Sequence, residues 1–215
     1  MFTISRYTTY FESQLFSWLF LFYISIKQMK MARTPSNMLA LDTIAPDFFL
    51  PDTNSNEWKS FNDVKGNHGT VVMFICNHCP FVLHVIEEVI RVANDYRVQG
   101  IGFVAISSND VLNYPEDAPD KMTEFAFNHK FSFPYLYDES QETAKNYDAA
   151  CTPDFYLFNA QNKLVYRGQL DDSRPKNGIP TNGNDLRGAI DSLIYNRSVN
   201  PLQKPSIGCN IKWKN

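Results

Sequence analysis

The sequence predicts an α/β fold with a central mixed β-sheet, helices on both faces and an N-terminal β-hairpin. Three observations support this prediction. A continuous apolar run at residues 70–75 (TVVMFI) is typical of a buried strand, an amphipathic segment follows at residues 81–96, and a second apolar run follows at residues 101–107 (IGFVAIS). This strand–helix–strand order indicates a right-handed βαβ unit.

Two features before the second strand are read directly from local patterns. Residues 47–52 (DFFLPD) and 57–61 (EWKSF) are short extended pieces on either side of the turn-rich TNSN, which predicts the hairpin. In the amphipathic segment, apolar residues recur at helical spacing with charged residues between them. Pro80 suits the first turn of this helix, because its missing N–H costs nothing there, and Gly100 lies just past the helix end.

The second half of the chain supplies the remaining elements. They are, in order, a helix at 121–130, a strand at 133–138, a helix at 140–149 capped by Ser140, hairpin strands at 154–159 and 163–168, and a closing helix at 185–196. An irregular tail is expected to run to Asn215. This order of elements is that of a thioredoxin-like architecture.

Composition limits the classes of function. The chain has 215 residues, of which 44% are hydrophobic, which suits one domain with an appendage better than two full domains. Twenty basic against twenty-three acidic residues give a formal net charge of −3. No basic block stands out in the sequence, so nucleic acid is not an expected partner.

The first thirty residues differ from the rest. Their apolar run at 15–26 (LFSWLFLFYISI) is shorter than the ~20 residues needed to cross a bilayer, and no small-x-small cleavage site follows it. We interpret residues 1–30 as a non-folding extension, such as upstream sequence read in frame, with a weak membrane anchor or an imperfect targeting signal as alternatives. The folded domain is then residues 31–215, and we expect a cytoplasmic protein that does not bind membranes.

Cys76 and Cys79 form a Cys-x-x-Cys pair where the first buried strand meets the long helix. We expect Cys76 near the helix N-terminus, where amides without intrahelical partners and the helix dipole stabilise a thiolate. The second sulfur can then attack a mixed disulfide formed by the first. A Cys-x-x-Cys beside a βαβ pattern is typical of a redox site.

His78 lies in the spacer of this pair. Its hydrogen bond, or its positive charge when protonated, would favour the thiolate; the alternative is an exposed turn histidine without a role. A zinc half-site is the other reading of the pair, but a closed zinc site needs four ligands. The remaining cysteines, Cys151 and Cys209, are far apart in the sequence. We therefore expect no metal and no cofactor, since the electrons reside in the dithiol.

Cys151 and Cys209 leave alternatives open. Cys151 lies two residues before Pro153 and is either an additional redox thiol or a small packing residue. Cys209 lies in the tail sequence PSIGCNIKW. It is either a resolving thiol that swings in to pair with Cys76 or Cys151, or an incidental member of a packed tail strand.

Several motifs resemble known proteins. The CNHC motif after a buried strand, TPDFYLF at 152–158 and APDFFLPD at 45–52 resemble the thioredoxin-like superfamily, and within it the redoxin branch of alkyl hydroperoxide reductase/thiol-specific antioxidant and TlpA-like proteins. Further similar segments are AISSND, YPEDAPDKM, YDESQETAKNYDAACTPDFYLF, YRGQLDDSRP and KPSIGCNIKW. The resemblance runs from about Leu41 to the C-terminus.

The resemblance implies a thiol–disulfide oxidoreductase with a general redox homeostasis or antioxidant role. Its partners would be protein or small-molecule disulfides, less readily hydroperoxides, and an unidentified electron donor. Thr152-Pro153 matches the cis-proline position of thioredoxin-like folds, which would leave the Thr152 backbone free to pair with an incoming polypeptide.

The sequence departs from two family patterns. Peroxiredoxins carry a threonine three residues before the peroxidatic cysteine, and here Cys76 stands in that place ahead of Cys79. Ile75 replaces the tryptophan that precedes the first cysteine of thioredoxins. A thiol peroxidase is therefore the alternative function, and a non-catalytic thiol or zinc-binding module is the second alternative.

Overall fold

The computed structural model describes residues 33–215. The interpretation of residues 1–30 as a non-folding extension lies outside the described residues and stays a prediction. Among the residues that are described, no helix combines the length and the apolar character needed to cross a bilayer.

The elements of the described chain follow the predicted order closely. The strands are β1 (Arg33–Pro35), β2 (Phe49–Pro51), β3 (Trp58–Ser60), β4 (Gly69–Phe74), β5 (Ile101–Ser107), β6 (Tyr135–Tyr137), β7 (Cys151–Thr152), β8 (Asp154–Asn159), β9 (Leu164–Gly168) and β10 (Ile207–Asn210). The helices are α1 (Phe61–Val64), α2 (Pro80–Arg97), α3 (Pro119–Asn128), α4 (Glu142–Asn146) and α5 (Asn184–Ile194), with a 3₁₀ turn at Pro115–Asp117.

The central sheet has the strand order β6-β5-β4-β8-β9. β4 and β5 pair in parallel, as do β5 and β6, whereas β8 and β9 pair antiparallel to their neighbours. The mixed sheet, the βαβ unit β4-α2-β5, the hairpin β2-β3 and the hairpin β8-β9 are therefore confirmed.

Apolar side chains cover both faces of this sheet, which explains the unbroken apolar run of β4. Val71 and Met73 face the cluster that includes the apolar sides of α2 and α5. Val72 and Phe74, which alternate with them, face a second cluster containing residues of β2, α1 and α4. Because successive side chains of a strand point to opposite faces, a strand buried on both faces must be apolar at every position.

Two local predictions need correction. The tail is not irregular throughout, because β10 lies between β1 and β7 in a second, antiparallel sheet. Ser140 is not the cap of α4: the N-cap residue is Gln141, in the left-handed conformation. The Ser140 hydroxyl instead donates to Asp138 and accepts from the Glu142 amide.

Candidate active site

Pro80 sets the start of α2 and, with it, the position of the cysteine pair. Proline suits the first helical position, so the helix begins at Pro80 and Cys79 is its N-cap residue. The Cys79 side chain therefore lies next to the first backbone amides of α2, and the Val82 amide among them lowers its pKa. Cys79 is thus next to the first helical residue, and Cys76 lies in the turn three residues earlier.

The sulfur atoms of three cysteines converge beside Thr152. Sγ of Cys76 lies 3.4 Å from Oγ1 of Thr152. Sγ of Cys79 lies 3.2 Å from the carbonyl oxygen of the same residue and 2.7 Å from Sγ of Cys209. All three cysteine side chains are buried. A strand-to-helix turn and two strands from distant parts of the chain thus build one thiol cluster.

The cluster stabilises a thiolate on Cys79. Burial opposes ionisation of this group, yet its interactions with Cys209, Cys76 and the Val82 amide outweigh burial and lower the pKa of Cys79. The hydrogen bond to Cys79 raises the pKa of Cys76, and burial and the negative charge of Asp117 raise it further. These surroundings favour ionisation of Cys79, the cysteine next to the helix N-terminus, over ionisation of Cys76.

Asn77, the first spacer residue, is anchored on three sides. Its backbone N–H donates to Oδ1 of Asp117 at 2.8 Å, and its side-chain amide donates to the carbonyl oxygen of Glu116 at 2.9 Å. The hydroxyl of the buried Tyr135 donates to Oδ1 of Asn77 at 3.1 Å. The spacer between the two cysteines is thus held by the 3₁₀ turn and by β6.

His78, the second spacer residue, pairs with the same acidic side chain. Its Nδ1 lies 2.7 Å from Oδ2 of the fully buried Asp117, and its ring stacks on Tyr114 with 5.7 Å between ring centroids. Pairing with Asp117 raises the pKa of His78, although burial opposes this. His78 is therefore not a freely exposed turn residue, and its position within the spacer is defined by contacts.

One group of side chains in the described part of the chain has the composition of a metal site. Single ligand atoms of Cys76, His78 and Asp117 all lie within 4.8 Å of one another. Both oxygens of Asp117 already accept hydrogen bonds, from the Asn77 amide and from the Asn109 side chain. A closed structural zinc site needs four ligands, so this group is an incomplete one.

The peptide bond between Thr152 and Pro153 is cis, which confirms the sequence prediction. The pairing of Thr152 differs from the expectation, however. β10 pairs with β7 in a register that sets Cys209 opposite Thr152. The chain's own tail therefore occupies an edge of β7 where an incoming polypeptide was expected, because β1 and β7 together hold β10 in the sheet.

The two remaining cysteines have different surroundings. Cys151 is completely buried, its sulfur lies 3.8 Å from the Pro153 carbonyl oxygen, and burial raises its pKa, which favours the packing alternative. The sulfur of Cys209 lies 2.7 Å from that of Cys79, a pairing that was not among the alternatives drawn from the sequence. The hydrogen bond to Cys79, together with burial, raises the pKa of Cys209.

Sequence reasoning missed Asp117, Asn77 and Tyr135 as parts of the site. Asp117 lies in YPEDAPDKM, a segment noted for its resemblance, but nothing local distinguishes it from the neighbouring Glu116 and Asp120. The signal that was present is the short distance in sequence between the end of β5 and this proline-bounded acidic turn. Loops that follow parallel strands meet at the carboxyl edge of the sheet, where the cysteine pair also lies.

Comparison with known proteins supports the fold described above. Residues 41–167 match the model of the AhpC/TSA family, while no curated protein matches the chain. An uncharacterized conserved protein from Geobacillus kaustophilus is 55% identical, with a TM-score of 0.85 over 86% of this chain and 98% of that one. A hypothetical protein from Sinorhizobium meliloti 1021 is 44% identical, with a TM-score of 0.82 over 84% and 98% of the two chains.

A more distant structure shares the fold. The thioredoxin domain of a thiol-disulfide oxidoreductase from Bacteroides vulgatus is 17% identical, with a TM-score of 0.52 over 63% of this chain and 90% of that one. The thioredoxin-like architecture predicted from the order of elements is thus confirmed.

Proposed function

Because this chain belongs to the AhpC/TSA family, we propose that it is a thiol–disulfide oxidoreductase that works through a reversible Cys76–Cys79 disulfide. One observation carries this proposal above the others. The Cys79 sulfur lies at the N-terminus of α2, beside the Val82 amide and two further thiols, and these neighbours lower its pKa. A thiolate, and not a thiol, is the nucleophile in thiol–disulfide exchange.

The reaction begins with attack by the Cys79 thiolate on one sulfur of a substrate disulfide. A mixed disulfide forms, and the other substrate sulfur leaves as a thiolate. Cys76 then loses its proton to this leaving group or to water and attacks Sγ of Cys79. The second substrate thiolate departs, the substrate has gained two electrons, and the Cys76–Cys79 pair has lost them. A reduced dithiol donor restores the pair, so no bound cofactor is required.

The neighbouring residues position and tune this exchange. His78, whose pairing with Asp117 favours the protonated form, places a positive charge in the spacer beside the dithiol. Thr152, which precedes the cis Pro153, contacts both sulfurs and so helps to position them. A cytoplasmic location and an antioxidant role belong to the same proposal.

Insulin-disulfide reduction with a dithiol donor tests the proposal. Cys79→Ser is expected to reduce the rate to that of the donor alone, because the stabilised thiolate is lost. Cys76→Ser is expected to keep Cys79 reactive toward an alkylating agent. Cys151→Ser, which removes a buried thiol outside the exchange, is the matched control and should retain wild-type activity. Wild-type activity in Cys79→Ser would overturn the assignment of the nucleophile, and wild-type activity in all three variants would overturn the function.

A thiol peroxidase is the second candidate, and one observation favours it. Cys76 stands in the place of the peroxiredoxin threonine, and its thiol lies beside Cys79 and lowers the pKa of that group, as a hydroxyl there would. Both sulfurs have about 1% exposure or less, which favours a small substrate. The Cys79 thiolate would attack a hydroperoxide to give a sulfenic acid and an alcohol, and Cys76 would condense with the sulfenic acid and release water. Peroxide consumption that depends on Cys79 would support this function.

A further inference from the structure

We propose that Cys209 is a second resolving thiol, which attacks Sγ of Cys79 and forms a Cys79–Cys209 disulfide that links the tail strand to the N-terminus of α2. This inference rests on the proposed function, since it concerns the same nucleophile. It assigns to the tail a pairing different from those with Cys76 and Cys151 that the sequence suggested.

The distance between the two sulfurs is the first observation. Sγ of Cys79 and Sγ of Cys209 lie 2.7 Å apart, and both side chains have an exposure of 1% or less. The sulfurs of a disulfide are about 2 Å apart, so only a small displacement separates the contact from a bond. No swing of the tail is required.

The tail is held in this position by hydrogen bonds on both sides of Cys209. β10 pairs with β1 and β7, which sets Cys209 opposite both Arg33 and Thr152. Beyond β10, the Ile211 amide donates to the Ala150 carbonyl oxygen at 3.1 Å, and the Lys212 amide donates to the Asn109 side chain at 2.9 Å. Cys209 is therefore a built-in member of the thiol cluster.

Gly208 permits the close approach of the tail. A β-carbon at this position would lie 1.9 Å from the carbonyl oxygen of Thr152 and 3.2 Å from the backbone nitrogen of Pro153. Both are backbone atoms and cannot rotate away. A side chain at position 208 would push β10 outward and separate Cys209 from Cys79.

The exchange balances in atoms and electrons by two routes. Cys209, after losing its proton to the leaving thiolate, attacks Cys79 in a mixed disulfide and releases the substrate thiolate. It also attacks Cys79 in the Cys76–Cys79 disulfide and releases Cys76 as a thiolate, with no net oxidation. The second route returns Cys76 to the thiol form while Cys79 remains oxidised. The oxidised protein is then a mixture of two disulfide isomers.

Disulfide mapping by mass spectrometry after oxidation with diamide tests the inference without any activity measurement. In Cys76→Ser we expect an intrachain Cys79–Cys209 bond and the loss of two titratable thiols. The double variant Cys76→Ser/Cys209→Ser should instead form no intrachain bond at Cys79. The matched double variant Cys76→Ser/Cys151→Ser should behave as Cys76→Ser.

Gly208→Ala provides a test that keeps every cysteine. In the Cys76→Ser background it is expected to slow formation of the Cys79–Cys209 bond by about 100-fold, because displacements near 1 Å have effects of this size on reacting groups. In the wild-type background the Cys76–Cys79 bond should still form. Cys79 and Cys209 remaining as thiols in oxidised Cys76→Ser would overturn the inference. If the wild-type protein does not reduce insulin disulfides, the proposed function is overturned, but the Cys79–Cys209 pairing is not.

Discussion

Nδ1 of His78 lies 2.7 Å from Oδ2 of Asp117, a carboxylate with no exposed side-chain surface. Oδ1 of the same carboxylate accepts the Asn77 amide, and Oδ2 also accepts the Asn109 side chain. One buried acid thus holds both spacer residues of the cysteine pair, although it lies 40 residues from Asn77 in the chain. The spacer depends on a side chain outside the Cys-x-x-Cys motif.

Asp117→Asn should lower the pKa of His78 toward its ordinary value, because the substitution removes the negative charge that favours the imidazolium. The measurement is an NMR titration of the His78 ring protons in both proteins. Asp120→Asn, which changes an exposed carboxylate on α3, is the control and should leave the His78 titration as it is in the wild type. An unchanged His78 titration would contradict the role given to Asp117.

The same pair has a defined effect on the pH dependence of stability. The pKa of His78 is raised in the folded state, so its contribution is fully present below the unfolded pKa of about 6.5 and is lost as pH rises through the higher folded value. We expect His78→Gln to lose more unfolding free energy relative to wild type at pH 5.5 than at pH 8.5, because the protonated imidazole that pairs with Asp117 is favoured at the lower pH. Urea unfolding at the two pH values measures the difference, and an equal loss at both would contradict it.

Asn77→Ala should destabilise the protein by about 1–3 kcal/mol, because the buried Tyr135 hydroxyl loses its acceptor on Asn77. Tyr135→Phe is the matched control. It removes the hydroxyl together with its need for a partner, so the expected loss is only about 0.5–1.5 kcal/mol. Denaturant unfolding of the two single variants and the double variant measures the coupling. Additive losses would show that the two side chains do not depend on each other.

Asp154 should make the protein less stable as the solution becomes less acidic. The side chain is fully buried, and burial raises its pKa to about 7, although the Tyr156 hydroxyl donates to it. The folded state therefore holds this proton more tightly than the unfolded state does. Unfolding free energy should fall between about pH 4 and pH 7, by up to about 4 kcal/mol from this group.

Asp154→Asn should remove this part of the pH dependence, since an amide does not titrate. Asp120→Asn, which changes an exposed carboxylate on α3, is the control and should leave the dependence as it is in the wild type. The measurement is the unfolding free energy of the three proteins across this pH range. Equal slopes for wild type and Asp154→Asn would contradict the prediction.

Reduced protein should contain zinc well below one equivalent. The cluster of Cys76, His78 and Asp117 offers three ligands, one fewer than a closed zinc site needs. Both Asp117 oxygens already accept hydrogen bonds. Metal analysis after purification under reducing conditions measures the content. One equivalent of zinc that is lost in Asp117→Asn would favour the zinc-binding alternative over the redox function.

The sequence by itself determined the sheet, its main helices and the place of the cysteine pair. These follow from patterns within short segments: unbroken apolar runs in β4 and β5, helical spacing in α2, and Pro80 at a helix start. Burial of apolar surface stabilises such patterns wherever they occur, so they can be read without knowing their partners.

Only the tertiary structure decided which thiols meet and what surrounds each sulfur. Cys79 and Cys209 are 130 residues apart in the chain, and their contact depends on how β10 fits between β1 and β7. The pKa of a thiol depends on the donors, charges and burial around it, and these come here from separate segments. The spacing of residues within one segment does not reveal such neighbours, so the surroundings of each sulfur became visible only in the folded chain.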